Sequence, residues 1–308
     1  YIRKIIAMPA PSFAEHDGLI WYNGEMVPWR EANVHVLTHG LHYASSVFEG
    51  DRAYGGKIFK LTEHSQRLKK SAELLGFDIP YSVEEIDEAC REACRANNIV
   101  DGYVRPVAWR GSEMMGISAQ NNKINLVVAA WQWPSYFSPE LREKGIALKT
   151  SPWRRPSPES APVHAKAAGL YMICTLSKHE AEREGFQDAL MLDYRGYVSE
   201  ATGANIFMTF GDDNTLHTPI PDCFLNGLTR QTIIQLAKER GIEVIERVIM
   251  PEELADAKEV FLTGTAAEVT PVGRIDDNTY VVGDMVKNMM EAYETLVGKT
   301  PASEAAAE

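Results

Sequence analysis

The chain has no apolar run approaching the ~20 residues of a membrane-spanning helix, which excludes a helical span at the outset. Basic residues are in the minority. There are 31 Lys and Arg against 43 Asp and Glu, and the formal charge of −12 repels a phosphate backbone and argues against nucleic-acid binding as the main task. Small anionic substrates stay open, because a few buried arginines outweigh a distant acidic surface. Cysteine is scarce and unpatterned. Cys90 and Cys94 lie four apart on an expected helix, Cys174 and Cys223 stand alone, and neither a disulfide framework nor zinc-ligand spacing results. All four read as reduced thiols, from which a cytoplasmic location follows. His39 and His42 have no third ligand at suitable spacing, so no metal is expected. There is no internal repeat. Tyr1-Ile2-Arg3-Lys4 leads into no long apolar core or cleavage site, which leaves open a leader trimmed from before Tyr1, and Pro301–Glu308 reads as a frayed end.

What remains is an ordinary globular composition, 45% apolar, in a chain of 308 residues that is long for one compact domain. Two domains with a cleft between them are expected. Strand signals fall at Leu19–Tyr22 and Glu25–Trp29 around Asn23-Gly24, and at Asp51–Tyr54 and Lys57–Lys60 around Gly55-Gly56. A helix capped by Thr62 carries Leu61, Leu68, Ala72 and Leu75 on one stripe and ends at Gly76. Val83, Ile86, Cys90 and Ala93 mark a second helix, followed by strands at Tyr103–Trp109 and Ile124–Trp131. The proline-interrupted stretch Trp131–Pro139 breaks every periodicity and reads as the interdomain connection, dividing the chain into 1–130 and 140–308. Beyond it, strands are expected at Ile146–Thr150, Asp188–Asp193, Tyr197–Phe210 and Glu259–Thr263, with helices at Gly169–Glu184, Thr229–Arg240 and Gly283–Val297. The last has a stripe of Val286, Met289, Met290, Tyr293 and Leu296. Strands and helices alternate without a regular βαβ beat, so the class is α+β.

Chemistry is concentrated in a few segments. In Val163-His164-Ala165-Lys166-Ala167-Ala168-Gly169-Leu170-Tyr171 a lysine sits among small and apolar residues. Two readings stay open: a surface lysine at a helix start, or a desolvated one that loses its proton readily and attacks a carbonyl. Further on, Glu200 is followed by Ala201-Thr202-Gly203-Ala204, then Asn205 and an apolar strand, which suits an acid facing a cavity as well as one at a strand end in solvent. An acid beside a pyridine nitrogen would keep that ring protonated and improve it as an electron sink. Gly227 leads into a helix, so free N–H groups gather at Leu228 and Thr229, and the loop Thr263-Gly264-Thr265-Ala266-Ala267 again offers backbone donors to an anion. Arg67 lies beside its helix's apolar stripe, able to turn inward or to remain in solvent.

Taken in order, these segments resemble one family from Ile20 to about Val297: the fold-type-IV pyridoxal-phosphate enzymes, and within them the branched-chain amino-acid aminotransferases. The resemblance implies a smaller N-terminal α/β domain, a larger C-terminal pseudo-barrel domain, and pyridoxal 5'-phosphate in the cleft. By the same resemblance Lys166 is the Schiff-base lysine, Glu200 the partner of the pyridine nitrogen and Tyr171 that of the phenolic oxygen, while Arg67, Leu228, Thr229 and Thr265 hold the phosphate. The subfamily rests on Tyr43, Phe48, Gly50 and Arg52, on Tyr103-Val104-Arg105, and on Met115-Gly116-Ile117. Asp51 places an acid next to Arg52, which would weaken that arginine as an anion partner.

The implied activity is reversible, ping-pong amino transfer between L-leucine, L-isoleucine or L-valine and 2-oxoglutarate, in branched-chain amino-acid biosynthesis. Tyr103 and the Thr265 and Ala266 amides would take the α-carboxylate. Phe48, Trp133, Met115, Ile117 and Tyr171 would wall an apolar pocket, although Met115 and Ile117 read equally as core. Arg105, helped by Tyr43 of a neighbouring subunit, would meet the distal carboxylate of glutamate, which implies a homodimer or higher homo-oligomer. The rival on the same fold is an (R)-amine or D-amino-acid transaminase, and a protein that keeps the cofactor pocket without turnover is the non-enzymatic alternative.

Overall fold

The computed structural model describes residues 12–133, 139–211 and 214–299. Within the first stretch lie β1 (Leu19–Tyr22), β2 (Glu25–Pro28), α1 (His39–Tyr43), β3 (Ser46–Phe48), β4 (Asp51–Tyr54) and β5 (Lys57–Ile58). They are followed by α2 (Leu61–Leu74), α3 (Val83–Ala96), β6 (Gly102–Arg110) and β7 (Ile124–Gln132). These strands form one antiparallel sheet in the order β2-β1-β7-β6-β4-β5, with β3 also on β6. Helices α2 and α3 cover one face. The expected stripe does so, with Leu68, Ala72, Ile86, Cys90 and Ala93 buried against Val104, Leu126 and Val128.

The start of α2 differs from expectation. The cap is Lys60, in the left-handed region at φ 51°, and Thr62 lies inside the first turn, its hydroxyl donating to Asp87 at 2.6 Å. Tertiary packing of α2 on α3 thus outweighs the local preference of threonine for a cap. At the other end Gly76, with φ 73°, closes the helix as expected.

The remaining elements are α4 (Pro139–Lys144), β8 (Ile146–Arg155), α5 (Met172–Arg183), β9 (Asp188–Asp193), β10 (Val198–Ala201), β11 (Asn205–Phe210) and β12 (Thr215–Pro219). After them come α6 (Leu228–Glu239), β13 (Glu243–Arg247), β14 (Ala257–Gly264), β15 (Glu268–Ile275), β16 (Asn278–Thr279) and α7 (Asp284–Leu296). The strand expected over 197–210 is two, because Thr202-Gly203-Ala204 is small enough to turn between them and put Glu200 opposite Asn205. Strand β10 pairs with both β9 and β11, so the path β10-β9-β8-β15-β14-β11 closes on itself as a six-stranded barrel. Ile146, Leu148, Leu190, Val260, Leu262 and Val272 belong to its core. Outside, α6 and α7 lay Ile233, Leu236, Val286, Met289 and Tyr293 over the stacked rings of Phe207 and Phe261. Leu296, expected on that stripe, is exposed.

The residues expected to connect the two halves lie partly outside the description: β7 runs to Gln132, and 134–138 are not among the described residues, nor is the tail from Pro301. The four cysteines are buried and unpaired, and no described helix is long and apolar enough to cross a membrane.

One close backbone approach sets the barrel's mouth. Gly145, at φ 80° after α4, and Gly273 of β15 lie so near that a Cβ on Gly145 would meet the Gly273 nitrogen at 2.3 Å. A Cβ on Gly273 would meet the Lys144 carbonyl at 2.4 Å. Backbone cannot swing aside as a side-chain tip can. Gly145→Ala and Gly273→Ala should each lower unfolding free energy by about 1–3 kcal/mol in urea titrations. The control Gly185→Ala, at φ 85° in open space, should lose only the conformational part, about 1 kcal/mol.

Candidate active site

Lys166 lies past the end of β8, where the chain crosses to the first sheet. Its amide donates to Ser71 Oγ of α2 at 2.9 Å, its carbonyl accepts from the Phe48 amide at 3.1 Å, and Ala167 bridges Val47. Three neighbouring backbone contacts therefore fix where its side chain starts. The ammonium donates to Tyr171 Oη at 3.0 Å and stands 5.0 Å from the centre of the Phe48 ring. Burial alone would lower its pKa, yet the combined pull of Tyr171 and Glu49 holds it above the ordinary value. Of the two readings its neighbours left open, the fold turns the amine inward onto Tyr171 and the Phe48 ring.

Arg67 turns inward, one of the two orientations its helix position allowed. Its Nε and Nη2 donate to Glu49 at 2.7 and 2.8 Å, and Nη1 has no hydrogen-bond partner among the described residues. Glu49 also contacts His64 Nδ1 at 2.7 Å. Burial would raise the Glu49 pKa, but Arg67 and His64 together hold its carboxyl well below the usual range. His64 Nδ1 is 3.1 Å from Asp51, whose carboxyl is pushed up to about 7 by burial. Asp51 and Arg52 do not face each other: adjacent strand residues point to opposite faces, and Arg52 lies against Glu268 at 3.9 Å and the Trp133 carbonyl at 3.3 Å. The concern that Asp51 weakens Arg52 is removed by that alternation.

Glu200 closes the far side of the cleft. It is buried, accepts from Asn205 Nδ2 at 3.1 Å, and lies 3.2 Å from Arg155 Nε without hydrogen-bond alignment. Burial pushes its carboxyl up to about 7 despite the opposing pull of Arg155 and Lys166. Asn205 is the joint between this acid and α6. It accepts from the Gly227 amide at 3.2 Å, and a Cβ on Gly227 would fall 2.4 Å from its Oδ1. Gly227 then starts α6, so the unpaired N–H groups of Leu228 and Thr229 open onto the same cleft.

Arg67, Lys166, Tyr171, Glu200, Leu228, Thr229 and Thr265 all line this single cleft. Those residues fit the cofactor that the sequence resemblance implies. The unpartnered Arg67 Nη1 and the α6 N-terminus suit a phosphate, the Lys166 amine suits an aldehyde, and the buried Glu200 suits a protonated ring nitrogen.

On the substrate side, Arg105 and Tyr103 project from the same face of β6, with Arg105 Nη2 donating to Tyr103 Oη at 3.0 Å. The Arg105 guanidinium lies 4.7 Å from the Phe48 ring centre, and Trp133 is 5.5 Å from Tyr103, ring to ring. Gly50 makes room, since a Cβ there would meet Tyr103 Oη at 1.9 Å. Ala266 follows Thr265 in the turn leaving β14. Phe48, Arg52, Tyr103, Arg105, Trp133 and Ala266 lie outside the residues that line the cleft itself, and three further expected residues are exposed on their own chain. Tyr43 ends α1 at the surface beside His39, and Met115 and Ile117 are exposed, Ile117 to 89%, so they are neither core nor pocket wall within one chain. Glu49, His64, Arg155 and Asn205 were not anticipated. The available signal was weak: an acid inside the apolar run Val47-Phe48-Glu49, and an arginine pair at Arg154-Arg155.

The family described as Amino-transferase class IV matches residues 46–275. A Rickettsia conorii protein named "Probable branched-chain-amino-acid aminotransferase" is 47% identical over 282 residues, 90% of this chain and 95% of its own. The crystal structure of the Escherichia coli branched-chain amino acid aminotransferase superposes with a TM-score of 0.88 at 41% identity, covering 93% of this chain and 97% of that one. That of the branched-chain amino acid aminotransferase from Thermoproteus uzoniensis with norvaline gives 0.87 at 35% identity, with 92% and 96% covered. A further solved branched-chain amino acid aminotransferase, complexed with N-(5'-phosphopyridoxyl)-L-glutamate, also gives 0.87, at 39% identity, with 94% and 97% covered.

The raised Glu200 pKa has a consequence for stability. A carboxyl whose folded pKa exceeds its unfolded one contributes most at pH below the unfolded value, and loses that contribution as pH rises through the folded value. The window for Glu200 runs from 4.5 to about 7. In the cofactor-free protein, Glu200→Gln should therefore gain on wild type by roughly 1–3 kcal/mol between pH 5 and pH 8. Asp51 titrates in both proteins and cancels. Urea titrations at the two pH values check this, and a constant difference would contradict it.

Proposed function

The chain belongs to the class IV aminotransferase family, and we propose that it moves an amino group between L-leucine, L-isoleucine or L-valine and 2-oxoglutarate, with pyridoxal 5'-phosphate as cofactor. The observation that carries this reading is the convergence of Lys166, Glu200 and the two anion loops on one cleft, beside which the Phe48 ring lies 5.0 Å from Lys166 Nζ and 4.7 Å from the Arg105 guanidinium. It is supported by the names of the relatives, and by the phosphopyridoxyl-L-glutamate complexed with one of the structural neighbours. The cleft lies between two domains, which we divide at 131–139, and the unpaired thiols suit the cytoplasm.

Pyridoxal phosphate, when bound, supplies an electron-poor ring that stabilises negative charge at the substrate α-carbon. The protein does the rest. Arg67 Nη1, the Leu228 and Thr229 amides and Thr265 hold the phosphate end. Glu200, ionised against a protonated ring nitrogen, keeps that proton in place, and Arg155 and Asn205 hold the carboxylate still. Lys166 Nζ would hold the cofactor and is placed to move a proton at the substrate α-carbon. Tyr171 orients Nζ through the 3.0 Å contact. Tyr103 and the Thr265 and Ala266 amides take the α-carboxylate, while Phe48 and Trp133 receive a branched side chain. Arg52 lies beyond them against Glu268, on the same side.

A second copy of the chain completes the site in this reading. Val36, Leu41, Tyr43, Met115 and Ile117 are large apolar side chains left exposed on one chain, and an interface would cover them. Tyr43 would then reach the neighbouring cleft beside Arg105.

Purified holoenzyme should convert with L-leucine in single-turnover spectra far faster than with D-alanine or (R)-1-phenylethylamine, and borohydride should fix the cofactor on Lys166. Faster conversion with D-alanine or the amine would replace this function with the rival one, and a label on another lysine would remove Lys166 from its role. Arg105→Ala should weaken glutamate by about 3–5 kcal/mol, because a desolvated carboxylate loses its partner, while leucine loses only packing. Equal losses for the two amino acids would make Arg105 a structural cation instead.

A further inference from the structure

The turn that carries Thr265 and Ala266 is followed at once by a residue under constraint. Glu268 adopts φ 54°, in the left-handed region that a side-chain-bearing residue rarely takes, and its side chain is buried. Such a conformation persists only where the surroundings over-determine it. Here they come from two parts of the chain, β4 and the end of α7. Tyr54 Oη of β4 donates to Glu268 Oε1 at 2.8 Å. Lys299, just beyond α7, donates to both carboxylate oxygens at 2.5 and 2.7 Å. Arg52 Nε, also of β4, lies 3.9 Å away, with neither Nε nor Nη1 hydrogen-bonded.

The other end of the turn is tied as well, by the Thr270 hydroxyl donating to the Ala267 carbonyl at 2.6 Å. Tyr54 also packs in one cluster with Tyr293 of α7 and Val269 of β15. A local role, such as closing the β14–β15 turn, would need only the backbone pairing of Gly264 with Glu268. It would not need a buried carboxylate shared among an ammonium, a phenol and a guanidinium from elsewhere.

We propose that Glu268 is a positioning residue: its carboxylate, tethered to Tyr54, Arg52 and Lys299, holds the 265–267 turn in the orientation that presents its amides and the Thr265 hydroxyl to anionic groups. This rests on the functional reading above for the identity of those groups, the substrate α-carboxylate and the cofactor phosphate. The side chain touches neither group. It acts through the backbone of the turn, and Lys299 makes the end of α7 part of the same assembly.

The test uses Glu268→Gln, Glu268→Gly and the milder Tyr54→Phe in the full-length protein. Both Glu268 variants should raise KM for L-leucine and L-glutamate alike, about tenfold, with kcat within threefold of wild type. This separates them from Arg105→Ala, which discriminates between the two amino acids. Pyridoxal-phosphate affinity of the cofactor-free protein, followed by absorbance, should fall by a similar factor. Tyr54→Phe should show the same pattern to a smaller degree, and should add nothing in the Glu268→Gln background. Glu268→Gly is decisive against a merely structural role, because glycine relieves the backbone constraint while deleting the tether. If it keeps wild-type KM and cofactor affinity, the proposal is overturned. The proposal is equally overturned if the Gln variant lowers melting temperature alone, or changes KM for only one amino acid. Should wild type turn over neither amino acid, the functional reading fails, and the cofactor-affinity measurements still decide the role of Glu268.

Discussion

The two charge-assisted hydrogen bonds from Arg67 to Glu49 are the interaction on which the site depends. Both groups are buried, and neither would be tolerable alone, since an unpaired charge in that position costs several kcal/mol. The pairing aims Arg67 Nη1 into the cleft and leaves it free. It also fixes α2 against β3 and β4. Ser71 follows Arg67 by one helical turn, so the same helix face that carries the arginine holds the Lys166 amide. The distance between a phosphate-seeking guanidinium and the reactive amine is thus set by one short stretch of helix.

Around that pair the cleft concentrates charge. Arg67 is paired with Glu49 and Arg155 lies against Glu200, with Lys166 on the same cleft, in a chain that is acidic overall. Burial makes every one of these groups costly, and the protein holds them by mutual pairing. An anionic group at the α6 N-terminus and Arg67 would add negative charge to this cleft, and the raised pKa values of Lys166 and Glu200 belong to the protein without it.

Much of the fold was legible where a pattern is local. The stripes of α2, α3 and, apart from Leu296, α7, the hairpins at Asn23-Gly24 and Gly55-Gly56, and the long strands β6 and β7 follow from periodicity and turn residues. Strands β12, β13 and β15 were not anticipated: β12 and β13 are short and half polar, and β15 contains Pro271 and Gly273, which read as breaks. Barrel closure through β10 depends on pairings between distant segments that leave no periodic trace. In the site, Lys166, Glu200 and the α6 N-terminus were readable because small residues or a glycine surround them. Their partners were not, because Glu49, His64, Arg155 and Asn205 look like ordinary polar residues until the fold buries them.

The sequence by itself determined the α+β class, most helices and strands, and the segments that bear chemistry, since each rests on spacing within a few residues. Tertiary structure alone decided the rest: that Arg67 turns inward to Glu49, that Asp51 and Arg52 part to opposite faces, and that Lys166 meets Tyr171 and the Phe48 ring. It also decided that Glu268 is shared between β4 and the end of α7. The physical reason is common to all of them. Whether a charged side chain is solvated or buried, and against which partner, is set by contacts across tens to hundreds of residues, and only the folded chain makes those contacts.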